Sequence, residues 1–202
     1  MKLPLNTLLI ALALGLALGQ ASPATAADAG ATSAALPGDS LYHLQAGFTD
    51  LHGQSLQWAA LQGRPQLVSM FYGNCSLMCP LILENAKAVQ KQLSPEQRAR
   101  LGVAMITLDP ARDTPAALAE VAERNRTPAD WQYLQPDADD VRAVASVLDV
   151  RYRFREDGSI NHTSVLVLLD AQGRELARSE VEGIAPDPAF VEQVRLAVAS
   201  SP

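Results

Sequence analysis

The chain has two thiols, Cys75 and Cys79, in the stretch YGNCSLMCPLI (Tyr72–Ile82). Three residues separate them, not the two of the common redox motif. Positions four apart on a helix share a face, offset by about 40° and 6 Å. The two sulfurs can therefore converge on one point outside the helix. That point can be a disulfide, a metal, or each in alternation. A structural disulfide is the plain reading for an oxidising compartment. Yet a bridge this short constrains the unfolded chain little, so a purely structural role makes weak use of the pair. A helix start also favours thiolate through its free N–H groups and positive partial charge. Met78, between the cysteines, is soft enough to shield a site or ligate weakly, although packing is the commoner role of methionine.

A third donor decides more. The three histidines are His43, His52 and His162. His43 follows a Pro/Gly/Ser-rich stretch, and His52 sits in a Leu51-His52-Gly53 turn that reads as surface. His162 stands in SINHTSVLVLL, just before an apolar run. If that run is a strand antiparallel to its neighbours, His162 reaches the sheet edge that carries the cysteines. Two thiolates and one imidazole form a soft site with few ligands. Copper(I) suits it, and copper(II) can add a donor; structural zinc wants four closed protein ligands.

The elements that must position these groups can be read in order. Gly47–Asp50 and Ser55–Trp58 flank a turn at Gly53 and read as a hairpin. Gln66–Tyr72 is a strand; Pro80 suits the first turn of a helix over Leu81–Leu93. Gly102–Leu108 is a second buried strand. Thr114 caps a helix to about Arg126, with Pro115 at its first position. A further helix is expected over Asp137–Leu148. Val165–Leu169 and Leu176–Val181 are strands joined by an Asp170–Gly173 turn. Asp187 and Pro188 open a last helix to Ala199. The short final link excludes a crossover. The order therefore predicts an α/β fold: a thioredoxin-like mixed sheet flanked by helices, with an N-terminal hairpin extension.

The 202 residues are 48% hydrophobic, enough for one domain with a core. The net charge of -6 argues against a nucleic-acid partner. Residues 1–26 read as an export signal: Lys2, the apolar run Leu8–Leu18, then Ala24-Thr25-Ala26. Retention of this segment as a membrane anchor is the alternative. Residues 27–40 read as a tether, and 41–202 as the domain. Export places the protein in the periplasm or an equivalent compartment.

At these residues the chain resembles the Sco/SenC family. Three blocks carry the likeness: CSLMCP, LDPARDTP and NHTSVLVLLD. The resemblance implies Cys75, Cys79 and His162 as copper ligands, a thioredoxin-like fold, and a part in building the copper centre of cytochrome oxidase. It sets Asp109, Arg112 and Asp113 in a supporting or partner-docking block. That block follows a strand, so an arginine between two aspartates can hold the loop by charge-assisted hydrogen bonds. The filler Ser76-Leu77-Met78 departs from the family's common Pro-Asp-Val.

Two functions follow. One is a copper metallochaperone serving a respiratory copper protein. The other is a metal-free thiol-disulfide oxidoreductase that keeps a partner's cysteines reduced. Both need a periplasmic thiol reductant. A peroxidase is disfavoured, because the loop lacks a Thr or Ser placed to assist one cysteine.

Overall fold

Three strands with every residue buried form the centre of the domain: β3 (Gln66–Phe71), β4 (Gly102–Thr107) and β8 (Val165–Leu169). Such runs belong to strands covered on both faces. The computed structural model describes residues 35–200. The expected signal segment and residues 27–34 of the expected tether lie outside the described residues. No described helix is long and apolar enough to cross a membrane.

Around the centre lies a seven-stranded mixed sheet. β3 and β4 run parallel, and β5 (Gln132–Pro136) continues parallel to β4. β8 is antiparallel to β3, and β9 (Glu175–Glu180) is antiparallel to β8. On the far side, β1 (Gly47–Asp50) pairs antiparallel with β5, and β2 (Ser55–Gln57) with β1. The hairpin extension thus widens the sheet. This is the thioredoxin-like arrangement that the element order predicts.

The helices start where local chemistry allows. Thr114 Oγ1 accepts from the Ala117 amide and caps α3 (Pro115–Arg124). Asp187 does the same for α5 (Pro188–Ala199), accepting from Ala189. α1 (Met78–Lys91) begins three residues earlier than expected, so Cys79 lies inside its first turn. Pro80 is then its third residue, where a missing N–H costs nothing because the first four are unpaired within the helix.

Several elements differ from the sequence reading. α2 (Pro95–Arg100) was not expected, although Ser94 and Gln97 form a full capping box there. β5 was missed because WQYLQP has no apolar run or clear alternation. The helix expected over Asp137–Leu148 is shorter, α4 (Val141–Val147). Its acidic approach is used otherwise: Asp140 accepts the Gly47 amide at 2.9 Å. A small separate ribbon, β6 (Tyr152–Phe154) with β7 (Ile160–His162), was also missed. Its strands are three residues long and each has a polar middle residue, Arg153 or Asn161, so periodicity says little.

The amino ends of β3, β4 and β5 define one edge of the sheet, opposite the cysteines. The described chain enters along it. The Leu41 amide donates to the Gly173 carbonyl at 2.9 Å, and the Ser40 hydroxyl donates to the Gln172 carbonyl. Tyr42 packs edge-on to Trp58, which also meets Phe48. Gly173 adopts φ +83°, and a Cβ there would collide with the Tyr42 ring. Gly173→Ala is therefore expected to destabilise the domain by ~1–3 kcal/mol. Urea unfolding measures this; an unchanged midpoint would show that this junction does not hold the fold.

Candidate metal centre

The carboxyl end of β3 leads into the loop Tyr72–Leu77, and the loop into α1. Cys75 is half-buried and Cys79 is 3% exposed; both are free thiols. Leu77, at the helix cap, offers no side-chain acceptor. Cys75 serves instead: its Sγ accepts the Cys79 amide at 3.3 Å. A sulfur thus does the work of an N-cap oxygen for an otherwise orphaned N–H. The Tyr72 amide donates to Cys79 Sγ at 3.5 Å.

His162 ends β7, three residues before β8 begins. Because β8 runs against β3, this point meets the cysteine loop. His162 Nε2 lies 3.7 Å from Cys79 Sγ, across 83 residues of sequence. Its Nδ1 lies 3.0 Å from the Thr163 carbonyl. A carbonyl only accepts, so Nδ1 carries the proton and the Nε2 lone pair faces the sulfur. Burial lowers the His162 pKa, which keeps the ring neutral. The Tyr72 ring stands edge-on to it at 5.9 Å.

The two thiols are unequal. A hydrogen bond from the Cys79 thiol, then amides of Cys79 and Leu77, hold Cys75 well below the ordinary thiol range. The same bond and burial push Cys79 up. Cys75 is thus the thiolate and Cys79 its protonated partner. Among the described residues no three His, Cys, Asp or Glu side chains are drawn into a closed metal shell. Cys79 and His162 are in contact, and Cys75 is joined to them through Cys79. Met78, half-buried, opens α1 between the cysteines.

The second acidic block lies at the same edge, after β4. Asp113 is 4% exposed and accepts from the Thr107 hydroxyl and, at 2.8 Å, from the Gly73 amide. Burial raises its pKa. Arg124 donates to the Gly73 carbonyl at 3.3 Å. Gly73 is thus held on both sides, two residues before Cys75. Arg112 holds the loop through one of the two aspartates only. It pairs with Asp109 and donates to the Gly158 carbonyl at 2.8 Å, tying the β6–β7 turn to this loop. His43 and His52 are exposed and take no part; His43 Nε2 meets the Pro37 carbonyl at 2.8 Å. Sequence reading missed Tyr72, Thr107 and the Thr163 carbonyl. Only Tyr72, beside the motif, carried a signal.

The fold and the Cys-x-x-x-Cys-plus-histidine geometry define a thioredoxin-like protein with a paired thiol and imidazole site. The SCO1/SenC family model matches residues 41–195, and the chain belongs to that family. A protein of Stutzerimonas stutzeri named as copper-binding is 28% identical over 128 residues, 61% of this chain and 62% of its own length. The chain therefore matches less than two thirds of that relative. ScoI of Bradyrhizobium japonicum with copper bound superposes with a TM-score of 0.64 at 20% identity, over 79% of this chain and 98% of its own. BsSco, described with a disulfide switch, gives 0.64 at 20% identity, over 76% and 91%.

Two outcomes test the site's electrostatics. Iodoacetamide should modify Cys75 rapidly at pH 6, where an ordinary thiol of pKa about 8.5 is nearly inert, and should spare Cys79. A Cys75 rate that rises only around the ordinary thiol range would contradict the assigned thiolate. Asp113→Ala should cost ~1–3 kcal/mol, because the Gly73 amide and Thr107 hydroxyl lose a buried acceptor. Chemical denaturation of the reduced protein measures that loss.

Proposed function

We propose that this protein is an exported copper metallochaperone. Cys75, Cys79 and His162 hold the copper as cargo for a respiratory copper centre such as that of cytochrome c oxidase. The observation that carries the reading is the approach of His162 Nε2 to Cys79 Sγ at 3.7 Å. A neutral imidazole with a free lone pair and two sulfurs, one already thiolate, fit copper better than a hard cation. Ligation requires the Cys79 proton to leave, so metal uptake releases a proton. Cys75 lies just before the helix and would supply the second sulfur from its loop. Support comes also from the copper-bound ScoI and from BsSco, described as a member of the Sco family of cytochrome c oxidase assembly proteins. Asp109, Arg112 and Asp113 hold the loops around the site.

The unequal thiols favour one second reading, a thiol-disulfide reductase. The Cys75 thiolate would attack a partner disulfide and form a mixed disulfide. Cys79, deprotonated, would then attack Cys75, releasing the partner as dithiol and leaving Cys75–Cys79 oxidised. A periplasmic thiol reductant would reset the pair.

His162→Ala separates the readings. Thiol exchange needs two sulfurs but not this imidazole. Copper(I) tolerates two soft ligands, whereas copper(II) wants more. The variant should lose copper(II) binding severely, keep some copper(I), and still form the disulfide. In cells it should fail to support copper-centre assembly. If it supports assembly like the parent while Cys75→Ser does not, the chaperone reading falls and the reductase takes its place. X-ray absorption of the copper-loaded parent should show sulfur donors; a shell without sulfur would sink the copper site itself.

A further inference from the structure

The sheet has two edges, and the cysteines occupy one. The opposite edge gathers the amino ends of β3, β4 and β5, the turn after β8, and the end of α1. It also receives the described chain at Ser40 and Leu41. An open groove of about 660 Å³ lies along it, lined by Lys87, Gln90, Lys91, Arg98, Arg126 and Asp130 among others. Four cations and one carboxylate meet here in a chain of net charge -6.

Their partners matter. Lys87 is engaged, with Glu84 at 2.6 Å and the Asn125 carbonyl at 2.8 Å. Nearby Glu96 accepts from the Ser94 hydroxyl at 2.7 Å and feels Arg98 at longer range. Lys91, Arg98 and Arg126 are exposed. Among the described residues they enter no ion pair. They come from three elements, α1, α2 and the loop after α3. The groove is open, so it does not enclose one small anion. It offers spread positive charge to a spread negative surface.

We propose that this edge docks on an anionic lipid surface, with Lys91, Arg98 and Arg126 meeting headgroup phosphates. The charge is complementary. The apolar run Leu8–Leu18 also lies upstream of the point where the chain joins this edge. A tether sets distance from a bilayer but not orientation; the groove supplies orientation. Cys75, Cys79 and His162 then face away from the lipid, open to a partner. That consequence rests on the proposed function; the docking does not.

The chain has three lysines, Lys2, Lys87 and Lys91, so acylation reads the groove directly. The full chain is mixed with phosphatidylcholine vesicles, with or without about one-third phosphatidylglycerol. A water-soluble acylating ester is added, and Lys91 modification is followed by peptide mass spectrometry. Anionic vesicles should slow it about fivefold or more relative to neutral ones. High salt should abolish the difference. Arg98→Glu combined with Arg126→Glu should remove it too, with unchanged copper content and circular dichroism. Equal acylation on both vesicle types overturns the proposal, whatever the variant does. So does full protection that survives the double variant or high salt. An upset of the copper reading would show instead in the copper content of the parent, scored on the same sample.

Discussion

His162 can serve the site because its Nδ1 is already committed. The Thr163 carbonyl takes that proton at 3.0 Å, and the ring then presents Nε2 to Cys79. Were the tautomer reversed, an N–H would face the buried thiol and no lone pair would be offered. The carbonyl itself is placed by the ribbon, in which His162 pairs with Tyr152. The ribbon in turn is tied down by Arg112 through the Gly158 carbonyl. A backbone oxygen, fixed by a short hairpin and one arginine, thus sets the chemistry of an imidazole 83 residues from its sulfur partner.

The reversed strand makes the same contact possible. In an all-parallel sheet, the residues before a strand lie at the edge away from the catalytic loops. β8 runs against β3, so its approach reaches the carboxyl end of β3. The Asp113 network then joins a third strand to this point. Thr107 belongs to β4, Asp113 to the loop after it, and Gly73 to the cysteine loop. A Cβ on Gly73 would lie 2.6 Å from an Asp113 oxygen, so the close approach requires glycine. The aspartate is thereby a brace between β4 and the thiols.

Much of this was legible because it is local or strongly patterned. The apolar runs of β3, β4 and β8 have no other good reading. The Thr114-Pro115 and Asp187-Pro188 pairs mark helix starts through elementary capping chemistry. The short Asp170–Gly173 turn dictates that β9 returns antiparallel to β8. The placement of His162 depends instead on β8 running against β3, which the sequence left as a condition. What stayed hidden depends on partners remote in sequence. Nothing in Asp109-Pro-Ala-Arg-Asp113 says that its two aspartates have different partners, or that Arg112 reaches a hairpin turn. β5 and the β6–β7 ribbon are too short and too polar for period to reveal them; neighbours make them strands.

The three-residue spacing has a consequence that a two-residue spacing lacks. Cys79 lies within the first turn of α1, almost wholly buried, with Tyr72 and His162 upon it. Cys75 lies before the helix and caps it through sulfur. One thiol is thus part of the scaffold, and the other belongs to a loop held by Gly73 at its base. Any new bond to Cys75 competes with its role as acceptor for the Cys79 amide. Loss of a helix cap costs roughly 0.5–2 kcal/mol, comparable to a tenfold change in an equilibrium. The bonding state of Cys75 and the order of the helix start are therefore coupled. A ligand or disulfide at Cys75 must outweigh the cap, and its departure lets the cap re-form.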